Sequence, residues 1–179
     1  MKVITKEVRL SYVNLFQPRA GNEGQEPKYG CTLLIPKSDK ETYSKLIAAQ
    51  EDAIAKKWPS KRPAKIATTL HDGDDVRPSD GEPFAPECRG HWVMAVSSKA
   101  KPNVVDQALQ PITDPARLVS GDYARVSINS YAYEVNGKRG VSFGLNNVQL
   151  LRKGTPLGSI SRPEEDFEVV ATAGEDFLD

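Results

Sequence analysis

Asp122-Tyr-Ala-Arg-Val-Ser-Ile-Asn-Ser-Tyr-Ala-Tyr-Glu-Val-Asn-Gly-Lys-Arg-Gly-Val-Ser-Phe-Gly-Leu-Asn-Asn-Val-Gln-Leu-Leu151 consists of two β-rich runs joined by Asn136-Gly137. Asn-Gly in that position is a strong hairpin signal, because a type I′ turn needs positive φ at both central residues. The pattern predicts one long strand from Tyr123 to Val135 and a second from Arg139 to Leu151. Side chains alternate between the faces of a strand, so the first run can be sorted. Val126, Ile128 and Ala132 share a parity and are small or β-branched, as core residues are. The other parity carries Tyr123, Arg125, Ser127, Asn129, Tyr131 and Tyr133, with Lys138 and Arg139 at the turn.

Working outward from this hairpin, the preceding chain supplies further strands. Ile4, Val8 and Leu10 fall on one parity of an opening strand. Gln17 to Lys28 is rich in Gly, Glu and Pro and predicts a loop. Tyr29 to Ile35 is a short apolar run stopped by Pro36, and His91 to Val96 is another. Between them lies one helix. Ser38 with Glu41 three residues later fits a capping box, and Tyr43, Leu46, Ile47, Gln50, Ile54 and Trp58 recur at helical spacing until Pro59. The stretch from Pro59 to Arg89 is loop-like, and Val104-Val105 is a short apolar piece inside a Pro-containing connection. Several strands, one helix and a late hairpin predict a mainly β fold, best matched by an OB-fold-like five-stranded barrel.

The chain has 179 residues, with 39% hydrophobic and 27% charged, ordinary for one soluble domain with an appendage. No apolar run approaches the ~20 residues needed to span a bilayer. Charges at Lys2, Lys6 and Glu7 interrupt the place where a signal peptide carries its apolar segment, so the expected location is the cytoplasm, with no membrane partner. The net charge of zero conceals an asymmetry. From Ser161 onward there are one basic residue, Arg162, and seven acidic ones, out of 24 of each in the chain. The expected division is therefore a domain over 1–160 with six surplus positive charges and a disordered acidic tail over 161–179.

An aromatic-bearing basic face suits single-stranded nucleic acid. Unpaired bases stack on aromatic rings whatever their sequence, while Lys and Arg neutralise phosphates. Tyr123, Arg125, Tyr131, Tyr133, Lys138 and Arg139 form the main candidate set. Phe16 with Arg19, Lys28 with Tyr29, and Trp92 with Lys99 and Lys101 repeat the pairing elsewhere, although Trp92 shares its parity with Met94 and Val96 and so also reads as core. The end of the tail, Glu175-Asp176-Phe177-Leu178-Asp179, sets two apolar anchors among acids. That pattern suits a groove ringed by cations on a partner protein.

Two other function classes compete. Asp72, Asp74 and Asp75, with Asp80, Glu82 and His71 nearby, are candidates to hold Mg²⁺ in a metal-dependent nuclease. They sit in a Pro/Gly-rich loop, where Asp-Gly-Asp-Asp is also common turn chemistry. A non-enzymatic virion assembly protein would use barrel and tail as interaction modules. Cys31, Cys88, His71 and His91 offer only one close ligand pair for zinc, and no metal or cofactor is expected. No P-loop, dinucleotide fingerprint, nucleophile elbow or His-Glu-x-x-His motif occurs.

The segments Leu10-Ser-Tyr-Val-Asn-Leu-Phe16, Tyr29 to Asp39, Asp72-Gly-Asp74, Ser120 to Tyr133, Asn136 to Gly140 and Gly144 to Gln149 resemble a family of bacteriophage single-stranded DNA-binding proteins, long catalogued as a domain of unknown function. The likeness covers about residues 8–158, and the last blocks are its most specific part. It implies an OB-fold and a role in phage DNA replication or recombination, and the residue reading expects no enzymatic activity. The acidic, Phe-containing end resembles the tails by which replication single-strand binders recruit partners. No residue-level site is carried over from the resemblance.

Overall fold

The turn at Asn136-Gly137 forms as its residues require, with φ of 51° and 77°. It joins β8 (Tyr123–Val135) to β9 (Lys138–Arg152), paired antiparallel over their whole length. A computed structural model describes residues 1–21, 24–157 and 167–170. The remaining strands are β1 (Lys2–Ile4), β2 (Val8–Arg19), β3 (Lys28–Pro36), β4 (Ala67–Thr68), β5 (Leu70–Asp72), β6 (His91–Ser98) and β7 (Asn103–Val105). One helix, α1 (Lys40–Lys57), lies between β3 and β6.

Five strands close on themselves. β2 pairs β3, β3 pairs β6, β6 pairs β9, β9 pairs β8, and β8 returns to β2. All are antiparallel except β6 with β9, which are parallel and share one register position, Ser97 with Gly144. Renumbered one to five, the ring runs 1-2-3-5-4-1, a closed Greek-key barrel of OB type. Its interior holds Leu10, Leu33, Met94, Ile128 and Phe143, all fully buried. The expected parity of β8 is realised: Ala124, Val126 and Ile128 are buried, whereas Arg125, Asn129 and Tyr131 are exposed.

Several local expectations need correction. The opening run is broken in two, and Val3, not Ile4, enters the core; Ile4 is half exposed. β2 continues to Arg19, into the predicted loop, because a register shift between Ser11 and Asn14 re-aims its side chains. The Pro59–Arg89 stretch contains β4 and β5, which fill the gap where β6 and β9 diverge: β4 pairs β9 and β5 pairs β6. Val104-Val105 belongs to β7, parallel to β9.

The helix begins one residue later than the Ser38 box. Asp39 is the N-cap and accepts from the Thr42 amide at 3.0 Å, while Glu41 pairs with Lys6 and Lys45. Leu46 and Ala49 enter the main core, and Ala53 and Ile54 meet Ala132 and Val141 of the hairpin. Asp39→Ala removes the cap's acceptor and is expected to lower stability by ~1 kcal/mol, read as a shifted urea midpoint. The start of β8 and the end of β9 are tied by Asp122, whose buried carboxylate accepts from the Val119 and Gly154 amides and from Lys153.

Candidate nucleic-acid interface

Cross-strand registers line up the outer face of the barrel. Asn14 sits opposite Gly30, Gly30 opposite Ser97, Ser97 opposite Gly144, and Gly144 opposite Asn129. Paired residues share a face, so five strands present one continuous row of glycine, serine and asparagine. Next to it, Thr32 opposes Ala95. This floor has no bulky side chain, so a polymer can approach the backbone closely. Gly30 is required for a second reason: a Cβ there would lie 2.5 Å from the Val96 carbonyl.

At the β3–β6 end the row deepens into a groove of about 620 Å³. This is within the size range of ordinary binding clefts. Tyr12, Asn14 and Arg19 of β2, Lys28 and Tyr29 of β3, and Lys99 beyond β6 line it, together with Gln25 and Glu26 of the β2–β3 loop. Lys99 is paired with Glu26 at 3.3 Å, so its charge is met by a carboxylate of the neighbouring loop. Beyond the groove, the outer surface of the same two strands is covered. Leu34 and Val93 pack under Phe84, Ala85, Cys88 and Leu157, which bounds the groove on that side.

At the other end the floor continues along the hairpin. Tyr131 opposes Ser142 and Tyr133 opposes Gly140, with their ring centroids 6.4 Å apart and tilted by 50°. Tyr133 lies directly over Gly140, where a Cβ would run into its hydroxyl. On the side of the row away from the tyrosines is an amide ladder: Asn129 of the row donates to Asn146 at 3.2 Å, and Asn103 donates to Asn147 at 3.1 Å.

The sequence candidates therefore separate into groups. Lys28, Tyr29 and Lys99 meet in the groove, and Arg125, Tyr131, Tyr133 and Lys138 share the outer face of the hairpin. Arg139 stands at the tip and pairs with Glu134 at 3.3 Å. Tyr123 is on the expected face but already occupied: the Arg152 guanidinium lies 3.7 Å from its ring centre and that of Arg9 5.6 Å. Lys101 is exposed but does not line the groove. Phe16 is partly buried against the core. Trp92 stacks on Tyr43 at 4.5 Å beneath the Lys37 ammonium and packs on the core, which leaves its ring faces engaged. The tail residues Glu175, Asp176, Phe177, Leu178 and Asp179 lie outside the described residues.

Arg19, paired with Phe16 in the sequence, reaches the groove without it, whereas Tyr12 and Asn14 are not among the candidates. Tyr12 is 64% exposed and holds φ of 48°, a left-handed conformation uncommon for an aromatic residue. Strain of this kind clusters at functional positions. The sequence signal was hidden, because the bulge beside Tyr12 breaks the alternation on which face-sorting depends.

The acidic loop is occupied differently. Lys37 donates to Asp72 at 2.6 Å and to Asp74 at 2.7 Å, and this contact is the main reason both carboxyls are held below their ordinary range. Asp72 also accepts from the Asp74 amide, Asp74 from Gly90 and Asp75 from Val76, which is turn chemistry. Cys31 is in the main core, where burial pushes its thiol up to about 12; Cys88 belongs to a separate cluster. Among the described residues, no three His, Cys, Asp or Glu side chains are placed to hold a metal ion. Nor is any helix among them long and apolar enough to cross a membrane.

Comparison with known proteins places this geometry in context. A family described as "Enterobacter phage Enc34, ssDNA-binding protein" matches residues 1–178. A curated relative, protein p50 of Acyrthosiphon pisum secondary endosymbiont phage 1, is 30% identical over 184 residues, covering 99% of this chain and 98% of its own. The single-stranded DNA-binding protein from bacteriophage Enc34, solved in complex with ssDNA, superposes with a TM-score of 0.74 at 26% identity, covering 88% of this chain and 89% of that one. The single-stranded DNA-binding protein gp2.5 of bacteriophage T7 shares the fold, with a TM-score of 0.62 at 15% identity over 96% of this chain and 99% of its own.

Proposed function

The chain belongs to the Enc34 family of phage single-stranded DNA-binding proteins, and from that premise we propose that it holds single-stranded DNA across the outer face of its barrel, without sequence preference. The observation that carries this assignment is the uninterrupted row Asn14–Gly30–Ser97–Gly144–Asn129. In OB barrels oligonucleotides lie over the second and third strands between the loops 1–2 and 4–5. Those elements are here β3, β6, the β2–β3 loop and the Asn136-Gly137 turn.

Each part has a chemical task in this assignment. Tyr12, Tyr29, Tyr131 and Tyr133 stack bases, each worth ~1–3 kcal/mol and indifferent to base identity. Arg19, Lys28, Lys99, Arg125 and Lys138 neutralise phosphates. The asparagines offer donors and acceptors that ordered water or sugar oxygens can meet. Nothing in this arrangement calls for a bond to be made or broken, so the proposed task is binding, with no catalytic step. Covering unwound strands keeps them from nucleases and from re-pairing, the service that phage replication and recombination require in the host cytoplasm. The acidic end with Phe177 and Leu178 is proposed as the handle for replication or recombination proteins.

Fluorescence anisotropy with a labelled dT oligonucleotide and a matched duplex, at two salt concentrations, tests the assignment. Tight binding that favours the single strand and weakens with salt is expected, since released counterions drive it. Binding to neither would overturn it.

A further inference from the structure

The ten residues Lys56-Lys-Trp-Pro-Ser-Lys-Arg-Pro-Ala-Lys65 contain five cations and no acid. The first two end α1, the other eight follow it, and none of the ten lines the groove. The fold nevertheless docks them on the hairpin tip. Trp58 and Ile66 pack with Ala132 and Val141, and β4 pairs in parallel with β9, setting Ala67 opposite Gly140. Lys65 stands two residues before Ala67, and Lys138 two residues before Gly140, so both precede this pairing by the same number of residues.

Some of this charge is spent locally. Lys56 pairs with Asp52, Arg62 with Glu51 and Arg139 with Glu134. Lys57, Lys61, Lys65 and Lys138 are exposed, and none has an ion pair among the described residues. An unspent positive surface therefore sits where the glycine-serine floor ends. The floor itself leads there. From Gly144 the same face of β9 runs through Ser142 and Gly140, the latter under the Tyr133 ring, to Lys138, ~20 Å at the usual rise per residue.

We propose that the 56–65 segment and Lys138 form a second phosphate-binding track, which takes up single-stranded DNA as it leaves the groove along the hairpin. The track rests on the groove assignment and extends it. The groove holds the first stretch of strand, and the tip neutralises the phosphates of the next. The occupant is nucleic acid because the patch continues a floor of small residues flanked by stacking rings. An acidic peptide would need the cations but not that floor.

The test is a triple variant, Lys57→Gln, Lys61→Gln and Lys65→Gln, compared with the wild type on a short dT oligonucleotide that fills only the groove and on a long one. All three side chains are exposed, so folding should be retained, and a triple Lys→Arg variant controls for charge. On the long oligonucleotide the slope of log K against log salt should fall by about 2, because each single-strand phosphate contact contributes ~0.7. The short oligonucleotide should bind as to wild type, and the arginine variant should restore the slope. An unchanged slope on the long oligonucleotide would overturn the track while leaving the groove standing. Unchanged DNA binding with lost binding of a peptide copied from 161–179 would overturn it in favour of a tail-docking site. Wild-type protein that binds neither oligonucleotide would defeat the groove, and the track with it.

Discussion

Replacing Tyr131 and Tyr133 together by alanine is expected to weaken binding of a dT oligonucleotide by roughly thirtyfold to several hundredfold, with the fold intact. Stacking is worth ~1–3 kcal/mol per base; at ~1–2 kcal/mol for each of these rings the pair contributes about 2–4 kcal/mol, and 1.4 kcal/mol corresponds to tenfold in affinity. Their present separation of 6.4 Å is close to two stacking intervals of ~3.4 Å, so a base enters between them once the 50° tilt relaxes. Tyr131 is 45% exposed and opposes Ser142, Tyr133 lies over Gly140, and neither ring belongs to a core cluster. The barrel therefore should not need either ring, and a melting curve checks that. Wild-type affinity in a folded double variant would remove the hairpin from the binding face.

Gly144→Leu should cost about thirtyfold in affinity while leaving stability near wild type. The two central glycines of the floor differ in what surrounds them. A Cβ at Gly30 would strike the Val96 carbonyl at 2.5 Å, so any side chain there disturbs the barrel. At Gly144 the nearest atom to a new Cβ is the Asn129 carbonyl oxygen at 3.9 Å, an ordinary contact. Bulk at Gly144 therefore projects into the path of the ligand. An isobutyl group would hold a strand away from the neighbouring asparagine and serine side chains. Losing two such polar contacts, at ~1 kcal/mol each, accounts for the expected effect. Anisotropy and thermal melting on the same sample separate the two quantities. Normal affinity would mean the row is not the floor.

The hairpin was legible because its signals are local: Asn-Gly imposes the turn, and alternation sorts the faces of β8. The helix was legible for the same reason, although its cap moved from Ser38 to Asp39 because two candidate acceptors stood side by side. What escaped was decided by distant partners. No pattern in Ala67–Asp72 announces strands, since β4 and β5 exist only to fill the space between β6 and β9. Trp92 and Tyr123 resemble ligand-facing aromatics in sequence. The structure gives one to Tyr43 and Lys37, the other to Arg9 and Arg152. Tyr12 was missed for the opposite reason: a bulge turned an unremarkable strand residue outward. Lys28, Tyr29 and Lys99 were chosen as aromatic-plus-basic pairs, and only the register of β3 with β6 brings them into one groove.

The single shared position between β6 and β9 makes the barrel a ring closed by one latch. The ladders on either side, β3 with β6 and β8 with β9, are long, whereas β2 meets β8 at two positions, Val8–Ala124 and Arg9–Tyr123; the slightest seam of the ring is Ser97–Gly144. That latch is also the middle of the floor. On the proposed path, a strand of DNA lying over it would reach from one arc to the other and act as a splint. Occupancy and closure are then a single equilibrium: whatever binds only the latched ring draws the population toward it by mass action. The protein would gain rigidity from its cargo at the seam where its own backbone supplies least.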